Sequence, residues 1–330
     1  ENGNSDAMNS YAIMLRDGQG VKANIEEAIK YFKMAIDYGN TKAMINYANI
    51  MKNGKGVEVD YKEAIYYYKL ATEFNSSEAM VYYAFMLQNG QGVDVNIEEA
   101  IKYYKMAIDR GNVNAILLYA SMLKNGEGIE VNFKEAIKYY KLAIDGENSE
   151  AMEIYASMLQ YGQGVEVNIE EAINFYKLAI DYGNPNAMVN YGKLLENGEG
   201  VAINVELANH YYKEAIKIYK EFIGKGMSDS MTKYANMLIE GKGIEKNKDE
   251  AIKYYKMAIS YDNDESMLKY GLILCDENET QKNKEMGVDY IKKSAGKYNI
   301  EAMYQYGRIL EEGKIIGKNV EESIKYYEMA

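Results

Sequence analysis

The chain is poor in the residues that most often carry protein chemistry. Among 330 residues it has one Cys, one His, one Pro and no Trp. A single Cys excludes an internal disulfide framework and favours a reducing compartment. A structural zinc site needs about four nitrogen or sulfur ligands, and one Cys with one His cannot supply them.

Long apolar runs and an excess of positive charge are also missing. No apolar stretch approaches the roughly 18 residues of a transmembrane helix, and no signal peptide is visible. The 38 Lys and Arg against 50 Asp and Glu give a formal net charge of −12, which argues against nucleic acid and anionic membrane surfaces as partners. The cytoplasm is the expected location. The ER lumen and secretion stay open, because both ends read as if cut from a longer protein.

What the sequence does contain is one motif that occurs nine times. Successive copies are 36 residues apart, except for one step of 43 residues. The copies begin at Ala7, Ala43, Ala79, Ala115, Ala151, Ala187, Ser230, Ser266 and Ala302. The first residue of each copy is position 0 below. A fixed period of this length predicts stacked helix pairs that form a single repeat domain over residues 1–330.

The first half of each copy has helical spacing. Position 4 is Tyr in all nine copies, position 5 is Ala or Gly, and position 8 is Leu or Met. This spacing predicts a helix, called helix A, and the usual glycines at positions 11 and 13 (Gly90 and Gly92) predict a turn after it. The recurrent Tyr could indicate a stacking platform for a cofactor, but core packing is the simpler interpretation.

The second half predicts another helix, called helix B. An Asn or Asp at position 17 is usually followed by Glu three residues later, as in Asn96 and Glu99, which is a capping box. Helix B has a small residue at position 21 and aromatic residues at 24 and usually 25. Lys at position 26, such as Lys105, is interpreted as part of a solvated face. Neighbouring repeats are needed to bury the apolar faces of such short helices.

Two regions depart from the regular repeat. The sixth copy has seven additional residues at 217–223, close to two helical turns. Neighbouring repeats could cover this extension. Alternatively, Ile218, Phe222 and Ile223 could project and form a secondary partner surface. The copies within residues 266–330 are degenerate.

The fifth copy shows the full set of recurrent residues. They are Ala151, Tyr155-Ala156, Gly162-Gln163-Gly164-Val165, Asn168, Ala172, Phe175-Tyr176 and Ala179. This pattern resembles the Sel-one-like repeat (SLR), a relative of the tetratricopeptide repeat, and the resemblance covers essentially the whole chain. The chain departs from the family in having Tyr where the family often has Leu or Trp. The resemblance implies an all-α fold, a right-handed α-solenoid of nine antiparallel helix pairs with helix A on the concave side. It also implies adaptor work, since family members assemble signalling or ubiquitin-ligase complexes.

Residues suited to catalysis do not converge. His210 and Cys275 lie two repeats apart on different helices, so a nucleophile–base pair is not expected. The Gly-x-Gly loops are interpreted as turns between the two helices of a repeat rather than as phosphate-binding loops, because no β-strand precedes them. Paired Glu residues at positions 19 and 20 are interpreted as helix capping rather than a calcium site. We therefore predict a non-catalytic segment with no cofactor and no metal site.

The variable positions 2, 6, 9 and 10 of helix A are expected to face the concave groove, by analogy with the tetratricopeptide layout. Position 9 carries no acid in the first five copies, and Phe85 lies beside Val81. This suits a peptide with an apolar anchor and some acidic character. Burial of Val81 and Phe85 by neighbouring repeats is an alternative of equal weight. The predicted groove residues are Ile45, Asn49, Lys52, Val81, Phe85, Gln88, Leu117, Ser121, Lys124, Ser157, Gln160 and Lys193.

Three functions are compatible with these features. A non-catalytic scaffold or adaptor that binds a partner peptide or protein is the predicted function. A structural or regulatory arm of a larger protein, such as a kinase or a ubiquitin-ligase adaptor, is the alternative. The third hypothesis is an enzyme or a binder of cell-wall fragments, as proposed for some family members. The lack of cysteine pairs and of a nucleophile–base pair weighs against it.

Overall fold

The computed structural model describes residues 4–330, and these residues form 18 α-helices and no β-strand. The helices are α1 (Ser5–Asp17), α2 (Ile25–Asp37), α3 (Thr41–Asn53), α4 (Tyr61–Glu73), α5 (Ser77–Asn89), α6 (Ile97–Ile108), α7 (Val113–Asn125), α8 (Phe133–Asp145), α9 (Ser149–Tyr161), α10 (Ile169–Asp181), α11 (Pro185–Asn197), α12 (Val205–Gly224), α13 (Ser228–Glu240), α14 (Lys248–Ile259), α15 (Asp264–Leu274), α16 (Gln281–Ala295), α17 (Ile300–Glu312) and α18 (Val320–Met329). Odd-numbered helices are helix A of a repeat and even-numbered helices are helix B. The predicted all-α solenoid of nine helix pairs is confirmed.

Contacts divide the chain into two compact units. The N-terminal unit, Glu1–Gly146, contains α1 to α8, and the C-terminal unit, Glu147–Ala330, contains α9 to α18. Within each unit, helix B packs both against helix A of its own repeat and against helix A of the next repeat. The core of each unit therefore continues from repeat to repeat. None of the helices in residues 4–330 has the length and apolar character needed to cross a membrane.

The predicted Asn or Asp caps helix B in eight of the nine repeats, whereas Thr280 and not Asn283 caps α16 in the eighth copy. In α6, the Asn96 Oδ1 accepts a hydrogen bond from the Glu99 N–H at 3.0 Å, and the Asn96 Nδ2 donates to Glu99 Oε2 at 3.2 Å. Helix α5 ends at Gly90, whose φ of 64° is left-handed. In the degenerate eighth copy, α15 ends instead at Cys275, which is not left-handed.

The Tyr at position 4 packs against the aromatic residue at position 24 of the same repeat. All nine pairs are edge-on, with ring centroids 4.8 to 5.4 Å apart. From α3 onward the position 4 Tyr is at most 5% exposed. Its interpretation as a core residue is confirmed, and the pair determines how helix A lies on helix B.

The Lys at position 26 contacts the position 4 Tyr of the following repeat in five repeats. The Lys105 ammonium lies 5.3 Å from the centroid of the Tyr119 ring, and Lys33 lies 4.9 Å from that of Tyr47. A hydrogen bond with the Tyr119 hydroxyl raises the pKa of Lys105. These five lysines are exposed, as expected, but the interpretation as a merely solvated face was incomplete, because they cover the ring of the following repeat.

The second glycine of the turn allows a close contact between repeats at five junctions. Gly92 has a φ of +76°, and a Cβ there would lie 2.5 Å from the carbonyl carbon of Tyr61, the first residue of α4. At Gly128 a Cβ would lie 2.7 Å from the Ile97 side chain, at the start of α6. The turn therefore packs directly on the preceding helix B. The sequence predicted only that it connects helix A to helix B.

The seven-residue insertion lengthens α12 to 20 residues, against 10 to 15 for the other helices B. The next repeat packs two turns further along it. Gly243 contacts Tyr212, which lies seven residues further along helix B than Tyr61, the residue that Gly92 contacts in its repeat. The Lys220 ammonium, instead of that of Lys213, lies 5.1 Å from the centroid of the Tyr234 ring. Because two turns nearly preserve the helical face, the core contacts continue through the insertion.

We predict that Gly92 tolerates alanine far less well than Gly111. Both have left-handed φ values, but a Cβ at Gly111 meets nothing within 4 Å. Gly111→Ala should lower the free energy of unfolding by about 1 kcal/mol through backbone strain alone, and Gly92→Ala by about 3 kcal/mol because a clash with α4 is added. Urea unfolding followed by circular dichroism measures both, and equal losses would contradict the packing role of Gly92.

Candidate partner-binding surface

A ladder of buried tyrosines orients polar side chains on helix A. In six repeats the hydroxyl of the Tyr at position 25 of helix B reaches position 6 or 9 of helix A in the same repeat, and in five of these six the ring is buried. The Tyr104 hydroxyl donates to Gln88 Oε1 at 3.0 Å, and the Tyr176 hydroxyl donates to Gln160 Oε1 at 2.8 Å. The same bond joins Tyr68 to Asn49, Tyr212 to Glu196, Tyr255 to Asn236 and Tyr327 to Glu311.

Further bonds fix the other ends of these side chains. The Gln88 Nε2 donates to Glu127 Oε2 in the next repeat at 2.9 Å, and the Gln160 Nε2 donates to Glu199 Oε2 at 3.4 Å. Each amide accepts from a Tyr and donates to a Glu, so its orientation is determined. We call the side chains at positions 2, 6 and 9 of the odd-numbered helices the helix A surface.

The predicted groove residues of the N-terminal unit differ in their accessibility. Ile45 and Val81 are only 4% and 7% exposed, so they belong to the core and leave little surface for a partner. Phe85, Leu117 and Ser121 are half-buried. The accessible apolar part of this surface is therefore centred on Phe85 and Leu117, and the alternative that neighbours bury Val81 is confirmed.

Lys52 and Lys124 are half-buried cations on the same unit. The Lys52 ammonium lies 5.7 Å from the Phe85 ring centroid and 5.6 Å from that of Tyr82. Burial lowers the pKa of Lys52, since removal from water disfavours its charge. An aromatic ring and a partly desolvated cation thus lie together on helices α3 and α5.

The remaining predicted residues lie in the C-terminal unit. Ser157, Gln160 and Lys193 are half-buried on α9 and α11. The predicted secondary surface on α12 is also half-buried rather than fully projecting, at Ile218, Phe222 and Ile223. The Lys225 ammonium covers the Phe222 ring at 5.4 Å from its centroid. A role of this surface in partner binding stays a prediction.

The C-terminal unit contains a polar cavity that the sequence did not reveal. Its volume is about 470 Å³. Most of the residues that line it lie on α9 and on α11 to α15. Lys193 is the only predicted groove residue in its lining. The charged lining residues are Glu153, Lys193, Lys233, Glu240, Lys242, Glu265 and Lys269. The seven-residue insertion at the C-terminal end of α12 is the sequence signal that could have indicated this cavity.

An ion pair and a hydrogen-bond chain hold one side of this cavity. Lys233 Nζ lies 2.8 Å from Glu265 Oε2, the Asn236 Nδ2 donates to Glu265 Oε1 at 3.2 Å, and the Tyr255 hydroxyl donates to Asn236 Oδ1 at 2.6 Å. Burial opposes the charge of Glu265, but its pairing with Lys233 outweighs burial and lowers its pKa. The two charges largely neutralise each other and form a rigid polar side of the cavity.

The single Cys and the single His do not form a reactive pair among the described contacts. His210 is exposed on α12, whereas Cys275 is half-buried and its Sγ donates to the Lys284 carbonyl at 3.6 Å. Burial raises the pKa of Cys275 to about 11, so the thiol is protonated at neutral pH. Within residues 4–330 no three His, Cys, Asp or Glu side chains are grouped to hold a metal ion.

Removal of the Tyr104 hydroxyl should destabilise the fold, whereas removal of the Tyr103 hydroxyl should not. Tyr104 is fully buried and bonded to Gln88, so Tyr104→Phe should cost about 1 kcal/mol of unfolding free energy. Tyr103→Phe keeps the edge-on ring contact with Tyr83 and should cost about 0.3 kcal/mol or less. Chemical denaturation compares the two variants, and equal costs would show that the Tyr104–Gln88 bond contributes nothing.

Cys275 should react slowly with iodoacetamide at neutral pH. With a pKa of about 11, the reactive thiolate is scarce in the folded chain, so the alkylation rate should still be rising steeply at pH 10. In urea-unfolded chain the rate should level off near the ordinary Cys value of about 8.5. A folded-state midpoint below pH 9 would contradict this assignment.

Comparison with known proteins bears on the family. A family model described as the Sel1 repeat matches eight segments, residues 5–40, 41–73, 77–112, 113–148, 149–184, 185–217, 228–260 and 300–330. The unmatched stretch 261–299 contains α15 and α16, the degenerate eighth copy. Among curated protein sequences, none is similar enough to match the chain.

Two solved structures have a similar fold. A protective antigen present in uropathogenic Escherichia coli strains, which displays an SLR fold, is 22% identical with a TM-score of 0.57, and the match covers 100% of this chain and 69% of that one. A Sel1 repeat protein from Oxalobacter formigenes is 25% identical with a TM-score of 0.59, over 64% of this chain and 85% of that one. With eight matched repeats, the chain belongs to the Sel1 repeat family.

Proposed function

We propose that this chain is a non-catalytic scaffold that binds a partner protein or peptide on its helix A surface. The observation that carries the proposal is the tyrosine ladder, in which buried hydroxyls such as that of Tyr104 hold helix A side chains such as Gln88 in one orientation. Side chains that are already ordered lose less conformational entropy when a partner binds, so more of each contact appears as affinity.

The repeat fold supports the same function. Positions 0, 5 and 8 keep small or apolar residues in every repeat, whereas position 6 carries side chains as different as Asn49, Phe85, Ser121 and Lys193. A fixed frame that displays unlike side chains at equivalent points suits recognition of an extended partner. A single catalytic centre would instead need unlike groups converging on one point.

Phe85 and Lys52 indicate the chemistry of the partner in the N-terminal unit. The half-buried ring gives an apolar contact, and the Lys52 ammonium lies above it. A partly desolvated cation attracts a carboxylate more strongly than a fully hydrated one. An apolar side chain next to an acidic one is the partner feature that this pair would bind.

Partner capture from lysate of the source organism tests the proposal. Wild type is compared with Phe85→Ala, Lys124→Glu on the helix A surface and with Leu142→Ala, Lys134→Glu on the exposed side of α8. Proteins captured by wild type should be depleted at least about tenfold with the first variant, as expected for loss of an anchor and a charge. The second variant likewise replaces one large apolar residue by Ala and one Lys by Glu, but on helix B, and should capture them normally.

Circular dichroism must first show that both variants keep the helical content and melting temperature of wild type. Equal capture by all three chains would place binding outside the N-terminal helix A surface. Loss with the α8 variant alone would assign the partner to helix B. Absence of any captured protein would contradict the scaffold function and favour a structural arm.

A further inference from the structure

The junction between α11 and α13 lacks a tie that joins neighbouring helices A at five other junctions. There, an Asn just before helix A donates its Nδ2 to the start of the preceding helix A. The bonds are Asn40 to Asp6, Asn112 to Ser77, Asn184 to the Ser149 carbonyl, Asn263 to Asp229 and Asn299 to Asp264. Before α13 the residue is Met227, which makes no side-chain capping bond and is 47% exposed. This tie therefore cannot form between α11 and α13.

Tyr219, a residue of the extension, occupies part of the space beside α11. Its ring is 3% exposed, and its hydroxyl donates to Asn186 Oδ1 at 2.6 Å. Asn186 and Asn190 are four residues apart on α11, and both line the cavity. The Asn190 Nδ2 donates to Glu153 Oε1 at 2.7 Å.

These two bonds leave complementary groups for a ligand. Asn186 uses its oxygen for Tyr219, so its amide hydrogens have no partner among the contacts of residues 4–330. Asn190 uses its nitrogen for Glu153, so its oxygen has none. One fixed donor and one fixed acceptor on the same helix face match the C=O and N–H groups of a peptide backbone.

Two of the four lysines that line the cavity are in ion pairs and two are not. Lys233 is paired with Glu265, and Lys242 is paired with Glu196 and Glu240. Lys193 and Lys269 form no ion pair or hydrogen bond among the described contacts, although the charge of Lys269 helps to lower the pKa of Glu265. Two cations thus remain for an incoming anion, in a chain whose net charge is −12.

We propose that this cavity binds an extended peptide segment that carries an acidic side chain, which deepens and rests on the proposed scaffold function. The peptide backbone pairs with Asn186 and Asn190, and the Asp or Glu carboxylate lies between Lys193 and Lys269. From Asn186 to Lys193 the α11 helix rises about 10 Å, which is the length of about three extended peptide residues. Glu153 and Glu240 on the cavity wall disfavour a polyanion such as nucleic acid.

Fluorescence anisotropy with synthetic peptide pools tests this site. The probes are labelled nonapeptides, amidated at the C-terminus, with a fixed central Glu and the other positions drawn from Ala, Ser, Asn, Leu and Tyr. A second pool replaces the Glu by Gln, and a third has the Gln and a free C-terminal carboxylate. The Glu pool should bind at least about tenfold more tightly than the amidated Gln pool, as expected for a charged hydrogen bond.

Matched variants assign the effect to the cavity. Lys193→Gln, Lys269→Gln should abolish the difference between the Glu and Gln pools. Lys213→Gln, Lys253→Gln removes two exposed lysines from helices B, α12 and α14, and should leave the difference unchanged. Asn186→Ala should weaken the Glu and Gln pools by the same factor, because it removes a backbone contact rather than the carboxylate contact.

The outcomes separate this site from the general function. Equal binding of the Glu and Gln pools, or a preference that survives Lys193→Gln, Lys269→Gln, overturns the acidic-peptide site while leaving scaffold binding elsewhere intact. Tighter binding of the free-carboxylate pool alone overturns the assignment to an acidic side chain. If no pool binds, the site is also overturned, and partner capture with the N-terminal variants decides the scaffold function independently.

Discussion

The edge-on contact between the aromatic rings at positions 4 and 24 is the constraint on which the rest of this structure depends. It recurs in all nine repeats with ring centroids 4.8 to 5.4 Å apart. In six repeats the same tyrosine also contacts a lysine of the preceding repeat, as Tyr119 contacts both Tyr139 and Lys105. Each contact is worth only about 1 kcal/mol, but one side chain thereby joins helix A to helix B and one repeat to the next.

That contact also determines where the neighbouring residue of helix B points. Consecutive residues on a helix are about 100° apart, so a ring at position 24 that packs on position 4 directs position 25 to another side of helix B. There Tyr104 is fully buried, yet its hydroxyl reaches Gln88 on helix A. The packing that stabilises the repeat therefore also fixes the orientation of polar side chains such as Gln88 on the helix A surface.

The sequence predicted those features that depend on neighbours along the chain. The capping box of Asn96 and Glu99 and the helix end at Gly90 are local, and the structure has both. Features that depend on packing between repeats could not be read in this way. The Gly92 turn rests on α4, and Val81 is buried although its position in the repeat predicted exposure in the groove. The length of the α12 extension was visible, but the cavity beside it requires the relative placement of at least three helices.

The length of that extension explains how the fold accommodates it. Seven residues turn a helix by about 700°, which is within about 20° of two full turns. Lys220 therefore contacts the Tyr234 ring, as Lys213 would in a repeat without the insertion. In the same way, Tyr212 contacts Gly243. An insertion of five residues would rotate this face by about 140° and would turn Lys220 away from the next repeat. The core tolerates seven residues because the angular register is kept.

The offset of about 10 Å along α12 remains, and it falls between α11 and α13, where Met227 replaces the connecting Asn. A repeat array can thus gain a distinct cavity from one lengthened helix without a change in its packing rules.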